Sequence, residues 1–210
     1  MTSMPETRLV AATVHGRYLL REGGPGLLVG FHGYAENAEI NLAALERIPG
    51  VSDWTVAAVQ ALHPFYARRD ELVVASWMTR MDREHAIADN LEYVRRVVSD
   101  IGARKPLVFF GFSQGAAMAY RAAAHVRADA VIALAGDLPP DVFAQEPVQL
   151  PRRILIGRGD HDEWFTAEKL EKDLRFLRTV AEVTECTYAG GHEWTDEFRS
   201  AAAAFLTSIS

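Results

Sequence analysis

Short apolar runs alternate with longer amphipathic segments through most of this sequence, and that alternation restricts the fold more than any other feature. Six runs have the length and composition of buried strands: residues 27–31, 55–59, 107–110, 130–135, 154–156 and 183–188. Strands that are apolar at every position are typical of a sheet covered on both faces. The sequence therefore predicts an α/β fold, with a mostly parallel sheet of about eight strands and helices on both faces.

The segments between the apolar runs have the periodicity of helices. The clearest one repeats apolar residues along one helical face and ends at a glycine: Ile87, Leu91, Val94, Val98 and Ile101, then Gly102. A second helix is expected over residues 167–177, with the hydroxyl of Thr166 capping its first turn. Further helices are expected at about 38–48, 115–126 and 193–207.

The N-terminal segment has a different pattern. Residues 9–14 and 17–20 are β-prone and flank His15 and Gly16, which predicts an N-terminal antiparallel hairpin. No linker or internal repeat interrupts the rest of the chain, and its 210 residues can form one sizeable core. We therefore expect residues 1–210 to form a single α/β domain.

Charge and composition exclude several classes of partner. The chain has 22 Lys and Arg residues against 28 Asp and Glu residues, a net charge of -6, so it offers no general basic surface for nucleic acid. No segment reaches the roughly 18 apolar residues of a membrane span, and the N-terminal residues lack the apolar stretch of a signal peptide. We therefore expect a cytoplasmic protein with a small-molecule substrate, no nucleic-acid partner and no stable membrane insertion.

A glycine-flanked serine follows one of the predicted strands. The sequence Gly111-Phe112-Ser113-Gln114-Gly115 comes directly after residues 107–110 and before a helix-prone run. In such a tight turn the central residue takes a strained conformation, which requires a residue without a side chain two positions before it and another two positions after it. The turn raises the Ser113 hydroxyl at a helix N-terminus, which favours developing negative charge. The motif predicts a nucleophilic serine, with a structural turn as the alternative.

A serine nucleophile needs a general base and a third group that orients the base. His192 follows the last predicted strand after two glycines and is the leading candidate for the base, with His161 as the second. Three acids follow predicted strands at the same edge of the sheet. We favour Asp162 as the orienting acid over Asp160 and Asp137.

Serine chemistry on an acyl group also needs N–H donors for the carbonyl oxygen as it becomes negative. One donor is expected from Gln114, the residue after the serine. The second is expected from Tyr34, in the loop after residues 27–31. No cofactor or metal is expected. A metal hydrolase is a minor alternative, because four residues are adequate ligand types: Asp160, His161, Asp162 and His192.

Four segments of the chain together resemble the phospholipase/carboxylesterase group of the α/β-hydrolase superfamily, which includes the acyl-protein thioesterases. They are HGYAEN at 32–37, GFSQGAAMAY at 111–120, GRGDHDEW at 157–164 and GGHEW at 190–194. The resemblance implies that Ser113 is the nucleophile, Asp162 the acid and His192 the base. It also implies that the N–H groups of Tyr34 and Gln114 form the oxyanion hole. The function that it implies is a serine hydrolase that cleaves carboxylic esters or thioesters through an acyl-enzyme. Because the sequence has no large inserted cap, we expect an open site that takes small or exposed acyl groups.

The substrate pocket is the part of the site that the sequence defines least. Residues 63–81 form a long segment without a clean period, and we expect it to cover the substrate. Four of its residues, together with Trp164, are expected to line an acyl pocket: Phe65, Tyr66, Trp77 and Met78. The alternative is that these side chains fill the core beneath a loop. Arg68 and Arg69 in the same segment are interpreted as a solvated charge pair.

Two other functions would use the same residues. Transfer of the acyl group to an acceptor other than water, including peracid formation, needs the same triad. A non-catalytic binding protein could also be built on a hydrolase scaffold, because a fold alone does not imply activity.

Overall fold

A computed structural model describes residues 4–67 and 71–209; Arg68 and Arg69 lie outside the described residues. The strands are β1 (Tyr18–Arg21), β2 (Leu27–Phe31), β3 (Thr55–Val59), β4 (His63–Tyr66), β5 (Val73–Ser76), β6 (Leu107–Phe112), β7 (Ala130–Leu134), β8 (Arg153–Gly159) and β9 (Glu182–Tyr188). The helices are α1 (Ala38–Leu45), α2 (Arg83–Ile101), α3 (Gln114–His125), α4 (Pro140–Phe143), α5 (Ala167–Val180) and α6 (Asp196–Thr207).

Seven of these strands form one sheet, in the order β1-β3-β2-β6-β7-β8-β9. β1 runs antiparallel to β3, and every other neighbouring pair in this sheet is parallel. From β2 the chain first goes to β3 on one side, and it then continues from β6 to β9 on the other side. The loops after β2 and β6 therefore lie side by side at the point where the strand order reverses, which is where open α/β sheets bind ligands.

The sheet is covered on both faces, as predicted. Neighbouring residues of β2 point to opposite sides: Val29 belongs to an apolar cluster that includes residues of α2, α3 and α5, whereas Leu28 belongs to a second cluster that includes residues of α1 and α6. The prediction of an α/β fold with a mostly parallel sheet is confirmed. Helix α2 ends at Gly102, where the sequence predicted its end, and this glycine has a φ of 90°.

The N-terminal antiparallel pairing involves different residues from those expected. Residues 9–14 form no strand, and Leu9, Val10 and Val14 are exposed. β1 pairs instead with β3, at the edge of the main sheet. An isolated two-stranded hairpin is marginally stable in water, whereas the edge of β3 belongs to a sheet that is already covered.

Two other local expectations differ from the structure. The segment 63–81 is not irregular throughout, because β4 and β5 pair as an antiparallel two-stranded sheet. Thr166 does precede α5, but its side chain makes no capping hydrogen bond to that helix. Among the described residues, we find no helix with the length and apolar character that crossing a membrane requires.

Candidate active site

Ser113 occupies the sharp turn between β6 and α3. Its backbone has a φ of 55° and a ψ of -118°, a conformation that costs a non-glycine residue about 1–3 kcal/mol. Any side chain at Gly111 would overlap the carbonyl oxygen of Gly115, and any side chain at Gly115 would overlap that of Phe31. The Ser113 N–H donates to the carbonyl oxygen of Leu134 on the next strand at 2.8 Å. These contacts fix the serine at the carboxyl edge of the sheet.

Three side chains from three loops form a connected hydrogen-bonded chain beside this turn. Oγ of Ser113 donates to Nε2 of His192 at 2.8 Å, and Nδ1 of His192 donates to Oδ2 of Asp162 at 2.9 Å. The histidine follows β9, and the acid follows β8. An imidazole in this position can accept a proton from the serine hydroxyl, and a carboxylate in this position can orient the imidazole.

The carboxylate of Asp162 is held by its own loop as well as by the imidazole. Its side chain is fully buried, and Oδ1 accepts the N–H groups of Trp164 and Phe165 at 2.8 and 2.9 Å. The buried Arg158 donates from Nε to the carbonyl oxygen of Phe165 at 2.6 Å. The Asp162 carboxylate is therefore held in one orientation by three hydrogen bonds, and Arg158 supports the loop that carries it.

The other candidate acids make different contacts. Asp160 accepts the N–H of Gly190 at 3.0 Å, which lowers its pKa, and its carboxylate lies 2.7 Å from the exposed ring of His161. Asp137 lies on the wall of the cleft beside Ser113, with its carboxylate 3.9 Å from Nζ of Lys169. The structure brings Asp162 to His192, and it gives Asp160 and Asp137 other partners.

In the loop after β2, the backbone N–H of Tyr34 is unpaired within the described residues. The carboxylate of Glu36 accepts the N–H of Gly33 at 2.7 Å, and Ala75 on β5 exchanges backbone hydrogen bonds with Ala35 and Glu36. Within residues 4–67 and 71–209, the N–H of Tyr34 has no hydrogen-bond acceptor. Burial raises the pKa of Glu36. This loop therefore presents the N–H of Tyr34 at the same edge of the sheet as Ser113.

Gln114 contributes a feature that sequence reasoning missed. It is the first residue of α3, so its backbone N–H has no partner within the helix. Its side-chain amide accepts the N–H of Trp77 and donates to the carbonyl oxygen of Met78, both at 2.9 Å. The amide therefore ties the segment after β5 to the residue next to Ser113. No sequence pattern indicated this contact, because the two segments are distant along the chain.

His32 lies near the site but is enclosed by the protein. It is fully buried, its Nδ1 donates to the carbonyl oxygen of Gly33 at 2.7 Å, and its Nε2 accepts the N–H of Ala61 at 3.1 Å. Burial lowers the pKa of His32 to about 4. The ring is therefore neutral near pH 7 and supports the loop that carries Tyr34.

A cleft of about 530 Å³ opens over Ser113 and His192. Of the residues expected to line an acyl pocket, Met78 and Trp164 are part of its wall. Residues of the wall that the sequence did not indicate as substrate-binding are Thr79, Arg80, Arg83, Ala117, Ala135, Gly136, Phe165 and Lys169.

Three of the expected pocket residues lie elsewhere. Trp77 is fully buried and donates from Nε1 to the carbonyl oxygen of His32 at 2.8 Å, so its ring is part of the core and cannot line the cleft. Phe65 and Tyr66 belong to β4 and do not line the cleft; the ring of Phe65 lies 5.7 Å from that of Tyr34, between centroids, and Tyr66 is exposed.

The ligand set of the metal alternative is not assembled. In the part of the chain that the structure describes, no three His, Cys, Asp or Glu side chains come together in an arrangement that could hold a metal ion. Asp162 and His192 face each other, and Asp160 faces His161.

The same fold occurs in solved structures of esterases. Esterase PE8 is similar over 94% of this chain and all of its own, with a TM-score of 0.79 and 20% sequence identity. Acyl-protein thioesterase 2 from Zea mays covers 93% of this chain and 99% of its own, with a TM-score of 0.73 and 17% identity. A carboxylesterase from Bacillus cereus is similar over 93% of this chain and 95% of its own, with a TM-score of 0.71 and 18% identity. No family model and no curated protein sequence matches the chain. These similarities establish the α/β-hydrolase fold.

Proposed function

We propose that this protein is a serine hydrolase that cleaves carboxylic esters or thioesters of small or exposed acyl groups. The observation that carries the proposal is the pair of hydrogen bonds that connects Ser113, His192 and Asp162, at 2.8 and 2.9 Å. A serine hydroxyl is a weak nucleophile at neutral pH, and such a chain is what makes it reactive. Similarity in fold to esterases supports the same reaction class.

The reaction proceeds through an acyl-enzyme on Ser113. Neutral His192 accepts the hydroxyl proton as Oγ attacks the acyl carbonyl carbon, and the imidazolium then gives that proton to the departing alkoxide or thiolate. Water attacks the acyl-enzyme with His192 again as the base, which releases the acid and restores the serine. Asp162 holds the imidazole in the required tautomer and stabilises its cationic form.

Backbone N–H groups stabilise the tetrahedral intermediates. The N–H of Gln114 and the N–H of Tyr34 donate to the carbonyl oxygen as it becomes negative. Loss of one such donor costs about 2.7–4 kcal/mol of transition-state stabilisation in hydrolases of this kind. Since both donors are backbone groups, they do not depend on the side chains of these two residues.

The shape of the cleft favours small or exposed acyl groups. Tyr34 and Trp164 at its wall are 60% and 75% exposed, so the cleft that contains Ser113 is open to solvent beside them. Water access is what distinguishes hydrolysis from transfer of the acyl group to another acceptor.

Labelling with a fluorophosphonate tests this function. We expect one equivalent of probe on Ser113, mapped by mass spectrometry, and hydrolysis of short-chain p-nitrophenyl esters. Ser113→Ala should abolish labelling and lower kcat by roughly 10⁶-fold, the loss expected when a serine nucleophile is removed.

A serine outside the site provides the control. Ser52→Ala changes a serine in the 3₁₀ turn Val51–Asp53 and should retain full labelling and turnover. Labelling at another residue, or unchanged turnover by Ser113→Ala, would contradict the proposal.

A further inference from the structure

The wall of the cleft carries more positive than negative charge, although the chain as a whole has a net charge of -6. Its basic residues are Arg80, Arg83 and Lys169, and the acidic residue among those that line it is Asp137. A cleft lined mainly by one sign of charge raises the local concentration of ligands of the opposite sign. Some of these charges are already neutralised by other groups of the protein.

Lys169 is paired within the protein. Its Nζ donates to the carbonyl oxygen of Trp164 at 2.9 Å and lies 3.9 Å from the carboxylate of Asp137. The one acid on the cleft wall is therefore balanced by the lysine beside it. Because these two charges cancel, the unbalanced charges of the cleft wall are those of Arg80 and Arg83.

Arg80 and Arg83 have no such partner. Both are exposed, and in the described part of the chain neither guanidinium forms a hydrogen bond or an ion pair. The carboxylate of Asp141 is near enough for Arg83 to help lower its pKa. That carboxylate, however, is held by the buried Arg121 in two hydrogen bonds of 2.6 and 2.7 Å. Two guanidinium groups at the cleft therefore remain available to a ligand.

The segment that carries the two arginines is fixed relative to the nucleophile. The side chain of Gln114 holds Met78, two residues before Arg80. Asn90 on α2 donates to the carbonyl oxygen of Trp77 at 2.9 Å, and α2 begins at Arg83. A cation in the first turn of a helix is disfavoured by the helix dipole, so α2 itself does not stabilise the charge of Arg83.

We propose that Arg80 and Arg83 select acyl esters or thioesters that carry an anionic group, a carboxylate or a phosphate. The planar guanidinium presents paired donors that match the oxygens of these groups. The scissile carbonyl lies at Ser113, and the anion lies at the arginine wall of the same cleft. This inference rests on the proposed function, because it names the substrate class of that site.

Matched pairs of substrates test the inference and show on which side of the ester the anion lies. The p-nitrophenyl half-ester of adipic acid, compared with p-nitrophenyl hexanoate, places a carboxylate on the acyl side. p-Acetoxybenzoate, compared with its methyl ester, places it on the leaving-group side. In at least one pair we expect the anionic ester to have the higher kcat/KM, with a preference that falls as ionic strength rises, because salt screens exposed charges.

Substitution of the arginines should remove this preference. Arg80→Gln and Arg83→Gln should each lower the ratio of anionic to neutral kcat/KM by about three- to tenfold, as expected for one partly exposed charge interaction. The double variant should lower it further. Arg152→Gln is the matched control, because Arg152 is an exposed arginine at the opposite, amino end of β8; it should leave the ratio unchanged.

The possible outcomes separate the two proposals. If the neutral esters are hydrolysed with no anionic preference, or if the ratio is the same in the double variant and the wild type, this inference is wrong and the proposed function stands. If the folded protein hydrolyses none of the four esters and takes up no fluorophosphonate, the proposed function is wrong and the inference falls with it.

Discussion

At the scale of single residues, the site depends on which of several similar side chains the loops bring together. Ser113 and His192 carry strong local signals, since each has glycines beside it at the end of a predicted strand. Asp160 and Asp162 could not be separated in this way, because both lie in one loop, two residues apart. The distinction comes from the turn that buries Asp162 and leaves Asp160 against Gly190.

Asp162→Asn tests the role of this acid. Asparagine cannot stabilise the imidazolium, and its amide can hold the ring in the wrong tautomer, so we expect kcat to fall by about 10³–10⁴-fold with little change in KM. Steady-state kinetics on a p-nitrophenyl ester measure the loss. Asp160→Asn is the control and should change kcat by less than about threefold, because that carboxylate does not contact His192. Equal losses in the two variants would refute the assignment.

At the scale of helices and strands, the sequence predicted the strands of the parallel sheet and the amphipathic helices well, and it missed the short strands β4 and β5. β2 and β3 are apolar at every position and lie where the apolar runs predicted them. β4 is largely exposed, so it lacks the apolar run by which a strand is recognised. The sequence could not assign Trp77 to the core or to the pocket, because the burial of its ring is decided by tertiary contacts with Phe31 and His32.

Helix α5 contains a buried acid that opposes folding at neutral pH. Asp173 is 2% exposed, its Oδ2 accepts the N–H of Leu138 at 2.7 Å, and burial raises its pKa from 3.8 to about 6. The folded state therefore binds this proton more tightly than the unfolded state does. The stability that depends on the protonated carboxyl is complete below pH 3.8 and is lost as the pH rises through about 6.

Asp173→Asn should remove this pH dependence. Relative to the wild type, the variant should gain roughly 1–3 kcal/mol in free energy of unfolding between about pH 4 and pH 7.5, since a shift of one pKa unit corresponds to 1.36 kcal/mol. Urea denaturation at the two pH values measures the change. Asp89→Asn, at an exposed position of α2, is the control. A difference between Asp173→Asn and wild type that stays constant with pH would show that the carboxyl is not perturbed.

At the scale of the whole molecule, the site is formed by several loops at one edge of the sheet and not by a single segment of the chain. Its groups come from the loops after β2, β6, β8 and β9, which meet at one edge because these strands are parallel. The N-terminal residues 4–14 take no part in this arrangement. They are exposed, and the ion pair within them, between Arg8 and Glu6, joins two exposed side chains.

Removal of residues 4–14 should therefore leave the fold and the site intact. We expect a change in Tm of less than about 2 °C and unchanged turnover of a neutral ester, because a pair of exposed charges contributes little to stability. Differential scanning calorimetry and steady-state kinetics measure both. A deletion that continues to Arg21 removes β1 from the edge of β3 and should lower Tm markedly. A large loss of Tm in the shorter deletion would indicate that residues 9–14 pair with the sheet after all.

The position of His192 after the last strand has a consequence for biosynthesis. The ribosome delivers Ser113 79 residues earlier than His192, so a partly synthesised chain lacks the hydrogen bond between these two side chains. Under the proposed function, the serine becomes reactive only when β9 joins β8. The reaction of refolding protein with a fluorophosphonate would therefore report when the sheet is complete, rather than when it begins to form.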